Sequence, residues 1–533
     1  MSKFNPRQKR VFLILIAMSI ADFILMIKPN AAASLNLAMV RMFEPDEAAQ
    51  LTPLLNMLAP ADGLVQSLKN FLLYQYYFYG FPFFGYSALT ILPLKFADAL
   101  GSIPQVMLIL RQAVSVLPML IALLMLVYLQ DGFRTYRSVV LYALLLSVPA
   151  VLANHFWWHV DSLVFLMIVL VMVFLVKDDL RFGKHFLIAA ALTGCATATK
   201  LMGVYFFLTI ASLLVLGFVQ KKVPFKKLLT SALLFLGIMG LAYLVSNPFL
   251  ASYWAREEYK LIFSKQMSML SEGYGVVYEK GLAQAWPTMR QYYGEWFFLL
   301  AALAAAVWGI FKSPKKLLHV IILTWLLPLS ISVIWFTHFK YQYWLPAALP
   351  LFSCLCAWLP EKLELREITK HPTRAILPLL AIGLLAVQFS LFLQSDLTAY
   401  TQRVRRAENN AEIAFYDNAR KALAGLPEAP MKVYFDYRLY APDTPGWTLE
   451  TSYDLLSYNY VQERDYDVLL LQQQRIADYL DPSAAGIDTQ QFANSQAFYA
   501  DAQRGELQGF RLLYRDQTGL VFVRDTIPVS PNP

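Results

Sequence analysis

Three acids stand close together in "MFEPDEAAQ", namely Glu44, Asp46 and Glu47, a short way past an apolar run from Val11 to Ile27. Carboxylates held so near hydrocarbon are costly unless they cap a helix or do chemistry. Pro45 at a first helical position, with acids in the turn that follows, is an ordinary helix start, because the acids complement the helix dipole. Neighbouring helical side chains diverge by about 100°, so Asp46 and Glu47 cannot aim at one atom and only one can react. A second acid, Asp161, lies in "NHFWWHVDSLVF" at the start of another apolar run. Trp157 and Trp158 there read as interface anchors. His155 and His159 have the spacing of a metal pair, but no third ligand accompanies them and no metal site is expected. The basic candidates are Arg111, Lys200 in "TATKLMG", and Lys340 with His338 and Tyr341 in "THFKYQYWLP". A lysine at a hairpin tip can also snorkel to the surface, so Lys200 carries two readings. Cations and tyrosines around a carboxylate would seat a phosphate beside a general base.

The elements that hold these residues follow from composition. The chain has 533 residues, 58% of them hydrophobic and 15% charged, with mean hydropathy +0.46. Its apolar residues come in blocks, which marks a polytopic membrane protein. The net charge of +8 sits mostly in short loops, as the positive-inside rule describes, so nucleic acid is not expected as a partner. Cys195, Cys354 and Cys356 fall in apolar segments without metal spacing, and neither disulfides nor a cofactor are expected.

Six basic segments, "SKFNPRQKR", "DGFRTYRS", "KDDLRFGKH", "QKKVPFKK", "FKSPKK" and "EKLELREITKHPTR", share one side of the membrane if the spans run 11–27, 106–130, 138–154, 162–176, 185–200, 202–219, 228–246, 296–311, 317–336, 344–360 and 375–394. That makes about eleven helices. Residues 71–96 are uncharged until Lys95, yet a crossing there would invert every later loop, so they read as an interfacial or re-entrant piece on the outer face, the alternative being a twelfth helix with an irregular topology. Ala31 to Ala33 resemble a signal-peptidase site, but the preceding apolar run is longer than a usual signal core and reads as a retained anchor. From Ser395 to Pro533 the chain turns polar and reads as a separate α/β or α+β domain on the outer side. In it "MKVYFDYRLY" and "DYDVLLLQQQRI" read as strands, and "GFRLLYRDQTGLVFVRD" as a hairpin turning near Gly519.

With sidedness set, the segments "EPDEAAQ", "LRQAVSVLPMLIALLMLVYL", "HVDSLVFLMIVLVMVFL", "AAALTGCATATKLMGV", "SNPFLASYW" and "KYQYWLPAALPLF" resemble, in order, the GT-C glycosyltransferases. The resemblance is to the polyprenyl-phosphate-sugar-dependent group related to protein O-mannosyltransferases, and it covers about the first 360 residues. "EPDE" also looks like the "HPDE" motif of a sister family of lipid-linked mannosyltransferases. It implies a GT-C-like polytopic α-helical membrane domain over residues 1–394, carrying a soluble extracytoplasmic domain over 395–533, in a multi-pass protein of the bacterial inner membrane.

It implies transfer of a hexose or pentose, mannose-like in preference, from a polyprenyl-phosphate-linked sugar to a glycan, lipid or protein acceptor hydroxyl in one inverting step. A glycosidase needs a second carboxyl to protonate its leaving group, whereas a phosphate leaves as an anion. On this reading Asp46 takes the acceptor proton and Glu47 or Asp161 orients acceptor or sugar. Arg111, Lys200 and Lys340 stabilise the phosphate, and His338 and Tyr341 are further substrate-binding candidates. The rival readings are an ion-coupled transporter using Asp22, Asp161 and Lys200, and a non-catalytic factor for glycan export or assembly.

Overall fold

The computed structural model describes residues 4–268, 272–273, 276–277, 279–359, 372–427, 429–481 and 489–529; most of the basic segment 361–374 lies outside them. The chain divides into two compact units, one of residues Met1–Asn30, Pro53–Ile262 and Lys280–Thr401, the other of Ala31–Thr52, Phe263–Glu279 and Gln402–Pro533.

The first unit is helical. Among the described residues six stretches are long and apolar enough to cross a membrane: Pro6–Ala32, Ile103–Asp131, Leu201–Val219, Phe225–Val245, Lys316–Phe336 and Leu380–Leu423. Two bent pairs, Arg137–Leu146 with Pro149–His155 at 62° and Leu282–Tyr293 with Trp296–Lys312 at 84°, raise the number to eight if each is one span. The protein is an integral membrane protein. Three further expected spans form as the helices Asp161–Asp178, Lys184–Thr199 and Tyr341–Ser353. These are too short or too charged at their ends to count by the same measure, so six to eight stands where eleven was expected.

Local chemistry explains the breaks. Asn5 and Gln8 cap the first helix reciprocally. Pro118 and Pro328 lack the N–H that would reach back one turn, and each adjoins a π-helical turn, Arg111–Val116 and Ser332–Phe336. Residues 73–80 form a loop between the helices Leu64–Leu72 and Phe81–Phe96, and Phe83, Phe84, Ser87 and Ile91 of the second helix are buried. The tryptophans are not interface anchors. Trp158 is fully buried, stacks on Phe83 at 5.3 Å and donates to Ser87 Oγ at 2.9 Å, while Trp157 is buried against His159. Their rings serve as core because the loop 156–160 folds inward between helices.

The second unit holds a short hairpin of β1 (Glu272–Gly273) and β2 (Val276–Val277) and a five-stranded sheet. The sheet strands are β3 (Met431–Phe435), β4 (Trp447–Glu450), β5 (Val468–Gln472), β6 (Phe510–Arg515) and β7 (Gly519–Arg524), ordered β4-β3-β5-β7-β6. The first three are parallel, and β7 runs antiparallel to both β5 and β6. The hairpin expected before Gly519 is present. Alternate residues divide between two cores: Val433, Phe435, Val468, Leu470, Val521 and Val523 meet the helix Ala411–Leu423, while Tyr434, Leu469, Leu471, Leu520 and Phe522 meet the helix Thr489–Arg504. A strand buried on both faces reads as a continuous apolar run, as in "VLLL" and "GLVFV". The domain boundary expected at residue 395 falls inside a single helix, Pro372–Glu408.

Candidate active site

In the first unit the helix Asp161–Asp178 packs beside Lys184–Thr199. Asp161 is the first residue of one, and Lys200 is the C-cap of the other. Acid at a helix start and cation at a helix end both complement the peptide dipoles. Here they also meet. Lys200 Nζ donates to Asp161 Oδ1 at 2.5 Å, with the carboxylate fully buried and the lysine side chain 17% exposed. Lys200 therefore does not snorkel away from the protein. The other carboxylate oxygen bonds His159 Nδ1, and His159 Nε2 pairs with Tyr79 Oη at 2.7 Å. The imidazole stacks flat on Trp157 at 4.0 Å.

The backbone that presents Lys200 is held by a close approach. Gly80 N–H donates to Thr199 O at 3.2 Å, and a Cβ at Gly80 would lie 1.9 Å from Ala198 O, so only glycine fits. This brings Tyr79 and Lys200 to the same cluster. From the other side Tyr343 offers its ring to two cations, Lys200 Nζ at 4.6 Å and Lys340 Nζ at 5.8 Å from the ring centroid. Lys340 is exposed. Tyr341 stacks on Tyr292 at 4.4 Å and its carbonyl accepts the Tyr293 hydroxyl, which fixes the start of the helix Tyr341–Ser353. Burial and the neighbouring Lys340 push the His338 imidazole down to about 4, so it is neutral at neutral pH.

Arg111 stands apart from this cluster. It is fully buried in its π-helical turn, and Nη1 donates to Asn30 O at 2.7 Å. Asn30 in turn donates to His155 O at 3.0 Å. His155 and His159 take different partners, His155 lying 3.5 Å from Asp22. Among the described residues no group of three or more His, Cys, Asp or Glu has metal-ligand geometry.

The acidic turn belongs to the second unit. Pro45 opens the helix Pro45–Met57, with Asp46 exposed and Glu47 fully buried. Glu44 ends the preceding helix Leu37–Phe43 and pairs with Arg403 at 2.7 Å. Arg403 and Arg406 lie over Phe43 at 4.6 and 4.8 Å. Asn36 donates to Tyr440 Oη at 3.0 Å, and Met39, Met42 and Phe43 form a small core with Ala407 and Ile413. The turn that aims Asp46 outward is thus clamped by the C-terminal part of the chain.

Sequence reasoning missed Tyr79 and Tyr343 and valued His159 only as a metal ligand. Tyr343 had a signal, the alternation of Lys340, Tyr341 and Tyr343. Tyr79 was hidden among the many aromatic residues of 71–96.

These helices and this α/β unit have the GT-C fold, as the sequence resemblance implied. The particular likeness is to the crystal structure of ArnT from Cupriavidus metallidurans bound to undecaprenyl phosphate. It superposes with TM-score 0.52 at 11% identity, over 98% of this chain and 99% of that one. The crystal structure of the Archaeoglobus fulgidus oligosaccharyltransferase tethered with an acceptor peptide superposes with TM-score 0.49 at 11% identity, over 99% of this chain and 75% of that one. No family model and no curated protein sequence matches the chain.

Proposed function

We propose that this protein is a glycosyltransferase that moves a sugar from a polyprenyl-phosphate donor to an acceptor hydroxyl with inversion. The observation that carries the reading is the convergence of Lys200 and Lys340 on the Tyr343 ring above the buried Asp161. Two ammonium groups drawn toward one ring make a place that an anionic leaving group would occupy. The fold shared with ArnT, which was crystallised with undecaprenyl phosphate, supports a lipid phosphate as that anion.

In this mechanism Lys200 and Lys340 stabilise the phosphate as the glycosidic bond breaks. Asp161 and His159 hold Lys200 in position. Tyr341 and neutral His338 supply hydrogen bonds to the donor. Asp46, exposed and unhindered at its helix start, takes the proton of the acceptor hydroxyl, and its role as an outward base is consistent with Glu47 turning inward. The full burial of Arg111 suits it better to holding Asn30 than to touching a phosphate. Residues 395–533 are proposed as an extracytoplasmic domain, and a mannose-like hexose or a pentose as the transferred sugar. The decisive experiment incubates purified protein with a panel of polyprenyl-phosphate sugars and an acceptor extract. Release of free polyprenyl phosphate supports transfer, and intact donors throughout would reject it.

A further inference from the structure

The helices Pro6–Leu25 and Pro372–Glu408 meet at a joint that the transfer reaction does not use. Tyr400 Oη donates to Leu25 O at 3.4 Å, and Phe23, Ala399 and Tyr400 pack on a small core that includes Met26 and Phe156. One turn before these contacts each helix carries an acid, Asp22 ahead of Met26 and Asp396 ahead of Tyr400. The two acids lie within electrostatic reach of each other. Ile20, Ile24, Leu393 and Leu397 are exposed around them, as residues that face lipid are, so both carboxyls are held at an apolar surface.

No counter-charge accompanies them. Asp22 Oδ2 and Asp396 Oδ1 are buried atoms with no hydrogen-bond partner among the described residues, and no lysine or arginine there pairs with either acid. His155 Nδ1 stands 3.5 Å from Asp22 Oδ2, on a side chain only 1% exposed whose Nε2 also lacks a partner among the described residues. The remaining polar and charged groups of the surrounding elements are engaged elsewhere or turned outward. Arg111 donates to Asn30 O, Tyr142 Oη shares a hydrogen bond of 2.6 Å with Ser19 Oγ, and Lys28 is exposed on the helix that follows. Asp22, His155 and Asp396 do not have metal-ligand geometry either.

Two ionised carboxylates side by side at such a surface repel each other, and each forfeits its hydration. A single proton relieves both costs, because the protonated carboxyl donates to its neighbour and one charge is left for the pair. We propose that Asp22 and Asp396 hold one proton between them at neutral pH, as a carboxylic acid–carboxylate pair that fastens the two helices and loosens them when the proton leaves. The sign of the pH dependence follows. Both carboxyls of the unfolded chain ionise at about 4, whereas the folded pair keeps its proton above that, so stability falls as pH rises until the proton is lost.

Infrared spectra of the full-length protein in detergent, recorded from about pH 5 to about pH 9 and referenced to the double variant Asp22→Asn/Asp396→Asn, read the carbonyl band of a protonated carboxyl directly. The band should be present at neutral pH and titrate away as pH rises. In Asp22→Asn and in Asp396→Asn alike its midpoint should fall by about one pH unit or more, because the remaining acid no longer faces a like charge. The melting temperature of the unmutated protein should fall relative to both single variants across the same window. If Asp396→Asn fails to fold, Asp396→Ser takes its place. A neutral-pH spectrum identical to that of the double variant would overturn the proposal, because both acids would then be ionised. A midpoint unchanged in either single variant would overturn it too, because that acid would hold its proton alone. Melting temperatures that run parallel across the window would reject the fastening role. Donor turnover enters none of these readings, so their outcome is separate from that of the transferase reading.

Discussion

Lys200 Nζ lies 2.5 Å from Asp161 Oδ1, joining the end of one helix to the beginning of its neighbour, with the carboxylate wholly out of solvent. Removing one partner of a buried pair leaves the other uncompensated, at a cost of about 3–5 kcal/mol. Lys200→Met and Asp161→Asn should each lower the melting temperature. The double variant should recover much of the loss, because no lone charge remains, yet stay inactive in donor turnover. Recovery of activity with stability would show that the pair serves folding alone.

Arg111 and Lys340 should separate structure from chemistry. Arg111→Ala removes a buried guanidinium and its bond to Asn30 O, so a clear fall in melting temperature is expected. Lys340→Ala alters an exposed side chain and should leave stability nearly unchanged while slowing transfer by about tenfold or more. Thermal unfolding and polyprenyl-phosphate release, measured on the same preparations, check both outcomes.

The acidic turn gives a three-way contrast. Asp46→Asn should keep the fold and reduce transfer by about 100-fold or more, as loss of a general base does. Glu47→Gln changes a fully buried side chain and should appear first as lost stability. Glu44→Gln weakens the pair with Arg403 and should cost about 1 kcal/mol or less, with turnover preserved. Half-normal activity in Asp46→Asn would move the base elsewhere.

His338 predicts an acid-sensitive component of stability. Its folded value near 4 lies below the ordinary histidine value of 6.5. The unfolded chain therefore binds the proton more readily between those values, and stability falls as pH drops from 6.5 towards 4. His338→Asn removes that contribution. Melting temperatures of the two proteins should diverge as pH is lowered through this window and run parallel above it.

Much of the architecture was legible because apolar blocks and period-two strands declare themselves locally. The runs "VLLL" and "GLVFV" marked strands, and the pairing of "GLVFV" with "FRLLYR" around Gly519 followed from turn chemistry. The ring pair Trp157 and Trp158 misled, because an interface anchor and a core residue have the same side chain and differ only in which way a loop folds. The Asp161 to Lys200 bond spans 39 residues and depends on how two helices pack, which no local pattern encodes. Glu47 and Asp46 were rightly separated by helix geometry, but which of them turns inward is set by tertiary packing.

The close approach at Gly80 sets a limit on how this protein can be recombined. Because its Cα lies against the Ala198 carbonyl without room for a methyl group, residues 71–80 and the end of the helix Lys184–Thr199 are matched surfaces, even though more than a hundred residues of chain run between them. Chimaeras that exchange one of these segments between related chains would bring together parts shaped for different neighbours. The two travel as one module, and a crossover point between them divides a single fitted joint.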